Sequence, residues 1–229
     1  VLYPMSVSTP PAYDPEAKQF YQLGDHSNLY VISEQTGECT DVQYVGHREK
    51  NVVVGVVAAV GYVLVCENVE EDRCVIRIYM ADKENGDLVL AQRPLALKGK
   101  VIVPPLQYDR RVLITTDLGE IRVLEVDPNI TPPVQEMAGI AASFTAPVVQ
   151  YPLVDRGLLW MAGKQFSRYK VQAVLGELTL DWVDNDGDVY VAPLQRSEDI
   201  VIHVRQQRGS TAVTVAGHPV NARKPSWQT

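Results

Sequence analysis

Asp184-Asn185-Asp186-Gly187-Asp188 is the stretch of this 229-residue chain whose residue types and spacing most suggest chemistry. Asp184, Asp186 and Asp188 alternate, and Gly187 permits a sharp turn; calcium loops use such oxygen-rich spacing. An EF-hand loop would need Glu at its twelfth position, which counts to Gln195, and helices on both sides. The flanks Trp182-Val183 and Val189-Tyr190-Val191 read as strands instead. A hairpin turn rich in Asp and Gly accounts for the cluster. A cation held by Asp184, Asp186 and Asp188 is the alternative, and the expectation is no metal site.

The four histidines, His26, His47, His203 and His218, are far apart and form no H-x-H or H-E-x-x-H pattern. His203 follows Ile200-Val201-Ile202 and reads as a satisfied polar residue at a strand end, against the alternative of a ligand or base. No G-x-S-x-G elbow supports a Ser/His/Asp triad. Gly55-Val56-Val57-Ala58-Ala59-Val60-Gly61 lacks the third glycine and the helix that a dinucleotide loop needs. Cys39, Cys66 and Cys74 show no zinc spacing. Cys66 and Cys74 flank an acidic loop, Glu67 to Arg73. If that loop tips a hairpin, the two thiols could face each other; the choice between two small apolar strand residues and a disulfide stays open. No catalytic residue is assigned.

Composition narrows the partners. The net charge is −7, which opposes non-specific binding to nucleic acid or anionic membrane. Lys98 with Lys100 and Arg205 with Arg208 are thin basic pairs, read as solvated strand ends or loops. No run of 18 apolar residues exists, so no spanning helix is expected. The longest apolar stretch, Val52 to Val65, contains Gly55 and Gly61 and reads as two buried strands joined by a bend. The chain begins at Val1, not Met, and the expectation is a domain of a longer polypeptide.

The elements that must position any site come from a repeat. Apolar runs recur around Phe20, Leu64, Leu113, Leu159 and Val201, at spacings of 44, 49, 46 and 42 residues. Each is followed by a second β-rich run centred at Val31, Ile78, Val123, Val171 and Val213. A period near 45 with two strong strands per unit matches propeller blades. The predicted fold is all-β: a β-propeller or section of one, of about five four-stranded repeats. The units run approximately over 11–55, 56–103, 104–145, 146–191 and 192–221 of a single domain, 1–229.

Local chemistry follows that frame. Pro104-Pro105-Leu106-Gln107, Ala192-Pro193-Leu194-Gln195, Ala146-Pro147-Val148-Val149 and Pro10-Pro11-Ala12 occupy one slot, and Val57-Ala58-Ala59-Val60 fills it without proline. Proline lacks an N–H, so it suits the start of an innermost strand, where ladder pairing is incomplete. Polar turns with Gly follow the second strands, as at Glu34 to Glu38 and Asp82 to Asp87. Helical signal is nearly absent; Pro133 to Ala142 is the best helix candidate, interrupted by Gly139.

Asn28-Leu29-Tyr30-Val31-Ile32-Ser33-Glu34-Gln35-Thr36-Gly37-Glu38 resembles the repeat of pyrroloquinoline-quinone-like (PQQ-like) propellers, with poorer copies at Ile76 to Asp87 and Gly119 to Glu125. The family's usual tryptophan after the turn glycine, which locks neighbouring blades in the quinoprotein dehydrogenases, is missing here. Those enzymes also carry vicinal cysteines, an axial Trp and a calcium. This chain has no adjacent cysteines, and none of that site is carried over. The resemblance thus implies the non-catalytic branch, with no cofactor, and a periplasmic or other extracytoplasmic location.

The expected function is an interaction or scaffold module that docks a protein or peptide through loops on one face. Further domains of the same polypeptide are possible partners; nucleic acid is not. A propeller enzyme with its site at the central channel, and a structural or assembly component of a larger complex, are the alternatives.

Overall fold

Val63 and Val65 point to one side of their strand and Leu64 and Cys66 to the other, and all four are buried. A strand buried on both faces must be sandwiched between two other layers. The same holds for Val112, Leu113 and Ile114, and for Leu159, Trp160 and Met161. This double burial, repeated along the chain, dictates a stack of sheets.

The computed structural model describes residues 9–24, 27–45, 52–69, 72–81, 87–172, 177–184 and 187–229. The first blade holds β1 (Ala12–Asp14), β2 (Gln19–Leu23), β3 (Asn28–Ser33) and β4 (Cys39–Tyr44). The second holds β5 (Val52–Ala59), β6 (Tyr62–Val69) and β7 (Arg73–Ala81). Its fourth strand is split into β8 (Leu88–Leu90) and β9 (Leu95–Lys98), both paired with β7. The third holds β10 (Leu106–Tyr108), β11 (Arg111–Thr115), β12 (Ile121–Val126) and β13 (Val134–Ile140). The fourth holds β14 (Tyr151–Asp155), β15 (Leu158–Ala162), β16 (Phe166–Gln172) and β17 (Glu177–Asp184). In the fifth the inner strand is split into β18 (Val189–Tyr190) and β19 (Gln195–Ser197), both on β20 (Ile200–Gln206). There β21 (Val213–Pro219) and β22 (Trp227–Gln228) follow.

Each blade is an antiparallel meander; one parallel bridge, Gly139 to Glu177, joins the outer edges of the third and fourth. The inner strands β1, β5, β10 and β14 lie side by side in that order. Four apolar layers fill the gaps between successive blades. Tyr21 and Leu29 meet Val63 and Val65; Leu64 and Ile76 meet Val112 and Ile114. Leu113 and Val123 meet Leu159 and Met161; Trp160 and Phe166 meet Tyr190 and Val201. Radial blades around shared inner strands make this a β-propeller or a section of one. No helix among the described residues is long and apolar enough to cross a membrane.

Three proline slots fall just before inner strands, whereas Val57-Ala58-Ala59-Val60 is the end of β5 and its turn, not the start of that strand. Pro10-Pro11 precede β1, Pro104-Pro105 precede β10, and Pro193-Leu194 precede β19. The inner strands pack closely: a side chain at Gly55 would stand 2.9 Å from Pro105 Cδ. At the turn from first to second strand every blade carries one non-glycine residue with positive φ: Lys18, Val60, Asp109, Arg156 and Glu198. The turns Val60-Gly61 and Arg156-Gly157 have positive φ at both positions, the type I′ shape that matches strand twist.

Two expectations are corrected. Pro133 to Ala142 is not helical but contains β13. Its buried residues Val134, Met137 and Ala138 have helix-like spacing because of a bulge. Val123 pairs with Ala138 and Leu124 with Glu136, which leaves Met137 as the extra residue. Val134 therefore packs toward the second blade, and Met137 and Ala138 toward the fourth. The Asp184 to Asp188 stretch is likewise not a hairpin turn. β17 pairs with β16 and β18 with β20, so it links two blades.

Polar groups reach across the blade boundaries. Asp14 Oδ2 accepts the Gly61 N–H at 2.8 Å. The Gln92 amide donates to Val134 O at 3.1 Å and accepts from Val134 N at 2.9 Å. Glu120 accepts the Lys98 N–H at 2.6 Å and Asp117 the Lys100 N–H at 2.7 Å. Gln150 donates to Thr116 O at 2.8 Å. Arg196 pairs with Asp155 of the preceding blade, and Arg168 donates to Val220 O of the next. Buried polar groups are costly unless bonded, so these ties also fix the angle between blades.

Candidate functional site

Asp184 ends β17, opposite Phe166, and Asp188 lies just before β18. Asp188 forms an ion pair with Arg205 Nε at 3.4 Å. Asn185 and Asp186 lie outside the described residues. The described residues hold no group of three or more His, Cys, Asp or Glu fit to bind a metal ion. His26 and His47 also lie outside the described residues.

His203 and His218 come together, which their spacing did not foretell. They are diagonal neighbours on β20 and β21, with Val201 opposite His218 and Ala216 opposite His203, in an aromatic layer between the fourth and fifth blades. His203 lies 4.6 Å from the Phe166 ring, and His218 stacks on Trp182 at 4.9 Å and 17°. Arg168 sits over Trp160 and Trp182 and holds Asp181, whose carboxyl it pulls below the usual range. Burial pushes the His218 imidazole below its ordinary pKa. Both rings are nearly inaccessible. This is a packed interface, with no room for a substrate.

Cys66 and Cys74 lie on β6 and β7 as diagonal neighbours, with Cys66 opposite Ile76 and Asn68 opposite Cys74. Both are free thiols and fully buried. The neighbouring Cys74 thiol and burial push the Cys66 thiol well up. A thiol held neutral in an apolar layer is a poor nucleophile.

What does face solvent is a groove of about 590 Å³ between the fourth and fifth blades. In a meander the turn between second and third strands shares one end with the blade-to-blade link. That end supplies the whole groove. The link Phe144 to Val149 forms one wall, Val189 to Val191 the other, and Lys164 and Arg208 come from the two turns. Backbone bonds hold the walls: Val148 N–H donates to Asp117 O at 2.9 Å, Tyr190 N–H to Gly163 O at 3.2 Å, and Val191 N–H to Val204 O at 3.0 Å. Gly163 lets the turn approach, since a Cβ there would meet Val149 O at 2.8 Å. Val149, Val189 and Val191 are each about 40% exposed on the groove. Lys164 Nζ lies 5.8 Å over the Phe144 ring.

A second groove of about 470 Å³ runs over the inner strands, lined by Pro10, Pro11, Tyr13, Gly55, Pro104 and Pro105 among others. No charged side chain among the described residues lines it.

Sequence reading missed the first groove. Val148-Val149 and Val189-Tyr190-Val191 read as strand frame, and Arg208 as half of a thin basic pair. The available signal was two apolar runs at equivalent blade links, each followed by a cation in a turn, Lys164 15 residues after Val149 and Arg208 17 residues after Val191.

No family model matches the chain, and no curated relative does either. Solved structures do match in shape, 677 chains among them. So widely shared a fold selects no activity by itself. One is the crystal structure of BamB from Moraxella catarrhalis, a β-propeller, at 16% identity and a TM-score of 0.66. The match covers 98% of this chain and 62% of that one, so the chain spans less than two thirds of BamB's length.

Proposed function

We propose that the chain is a non-catalytic interaction module of the PQQ-like propeller type. It docks a protein or peptide through the loops at the end of the blades that carries the 590 Å³ groove. The observation that carries this reading is how the polar groups are used. The buried carboxylates Asp14, Asp117, Glu120 and Asp155 accept bonds that tie one blade to another. The accessible concave surface is instead apolar, with cations at its rim, which suits recognition, and no acid–base pair among the described residues lines it. Rigid blades with variable loops are a common platform for such contacts. The likeness in shape to BamB supports the propeller frame. Under this reading the module works in the periplasm or another extracytoplasmic space, as the repeat resemblance implies, and further domains of its polypeptide are candidate partners.

The test is cross-linking of the tagged chain in native extract, followed by mass spectrometry. A defined partner, with cross-links concentrated on Lys98, Lys100 and Lys164 at the groove end, is the expected result. Turnover in a dye-linked alcohol oxidation assay with quinone and calcium would overturn it in favour of a propeller enzyme. Co-purification in a fixed stoichiometric complex without free chain would favour an assembly component.

A further inference from the structure

We infer that the groove between the fourth and fifth blades is the seat of an extended peptide segment that alternates apolar and acidic side chains. This rests on the module reading and names the chemistry of its partner. Three observations carry it.

The first is the floor. Phe144, Pro147, Val149, Tyr151, Val189 and Val191 present apolar surface in a concave space of about 590 Å³. That lies inside the range of about 300–1,000 Å³ found for clefts that enclose small ligands. Apolar side chains of a partner gain free energy by burial here, at roughly 25 cal/mol per Å².

The second is the rim. Lys164 and Arg208 are exposed, and neither has an ion-pair partner among the described residues. No described acidic residue lines the groove. In a chain of net charge −7 this is a local inversion of sign. Charges at a rim steer and select a partner more than they hold it. They select carboxylates.

The third is rigidity. Both walls are fixed by backbone bonds to neighbouring turns, so the groove exists before any partner arrives. A segment that enters it orders itself without reordering the blades. An extended peptide, with side chains alternating every 3.3 Å or so, can place apolar groups on the floor and carboxylates on the rim. A small anion would meet the rim cations and leave the floor uncovered.

The experiment is phage-display selection of random dodecapeptides on the intact chain and on the Lys164→Glu, Arg208→Glu double variant. Both residues are exposed, so the variant should keep the wild-type melting temperature. Wild type should enrich peptides that combine Asp or Glu with large apolar residues. The variant should lose them or enrich Lys and Arg instead. A synthetic copy of an enriched peptide should lose at least tenfold in affinity for the double variant, and a comparable factor for Val189→Asp. No enrichment, the same peptides from both proteins, or full displacement by millimolar phosphate or acetate would each overturn the proposal. If the variant still captures the native partner as wild type does, this proposal falls while the module reading stands. If wild type yields neither partner nor peptide, both fall.

Discussion

Asp14 and Gly61 are joined across the first blade boundary: the carboxylate Oδ2 accepts the glycine N–H at 2.8 Å. The other oxygen accepts the N–H groups of Glu16 and Ala17 at 2.9 and 3.2 Å. One buried side chain thus closes its own turn and anchors the next blade's turn. Asp14→Ala would strand those donors and is expected to destabilise by about 3 kcal/mol. Asp14→Asn keeps one oxygen acceptor but turns its amide N–H₂ toward a donor, so it should destabilise too, by less than Asp14→Ala. Urea unfolding measures both; equal, negligible effects would show that the tie contributes nothing.

Burial lowers the pKa of His218, so folding favours its neutral form. The unfolded chain then binds the extra proton below its own pKa of about 6.5. Stability should be full above that value and fall as pH drops toward the lower, folded pKa. Asp181 is also shifted down, and its contribution is lost only in stronger acid, below the usual carboxylate range. Urea midpoints at pH 7.5 and 5.5 therefore bracket the window in which His218 contributes. The difference should shrink in His218→Phe; an unchanged difference would assign it elsewhere.

Val60 adopts φ +54°, a conformation that β-branched residues avoid, at the first position of its turn. Asn tolerates that shape. Val60→Asn should stabilise the chain by about 1 kcal/mol and raise the melting temperature by a few degrees. A lower melting temperature would show that the apolar contacts of Val60 outweigh its strain.

Cys66 and Cys74 are buried thiols, and Cys39 is partly exposed. A colorimetric thiol reagent should modify one cysteine quickly in the native protein. The other two should react only in guanidinium. Fast reaction of all three would mean that the layer between the second and third blades opens readily.

Asp188 is engaged by Arg205, which opposes use of its carboxylate as a metal ligand. Calorimetric titration with calcium should reveal no site with a Kd below about 10⁻⁶ M, the sensor range. A tighter site, lost in Asp186→Ala, would restore the cation reading.

The sequence by itself determined the repeat and its strands. Leu64, Leu113, Leu159 and Val201 mark the buried second strands because each sits in a short run of β-formers whose meaning is local. Proline marks the inner strands for an equally local reason: it lacks a donor. The rest depended on partners distant in the chain. Pro133 to Ala142 held the best helix signal, and only the pairing of β13 with β12 revealed a strand with a bulge at Met137. Asp184 to Asp188 looked like a hairpin, because nothing local says which sheet the next strand joins. Asp14 meets Gly61, and Val149 and Val191 come to line one groove, only once the blades are stacked. Strand pattern is written in neighbouring residues, whereas ties and grooves arise from packing between blades. One sequence, read in order, contains the first and leaves the second to the tertiary structure.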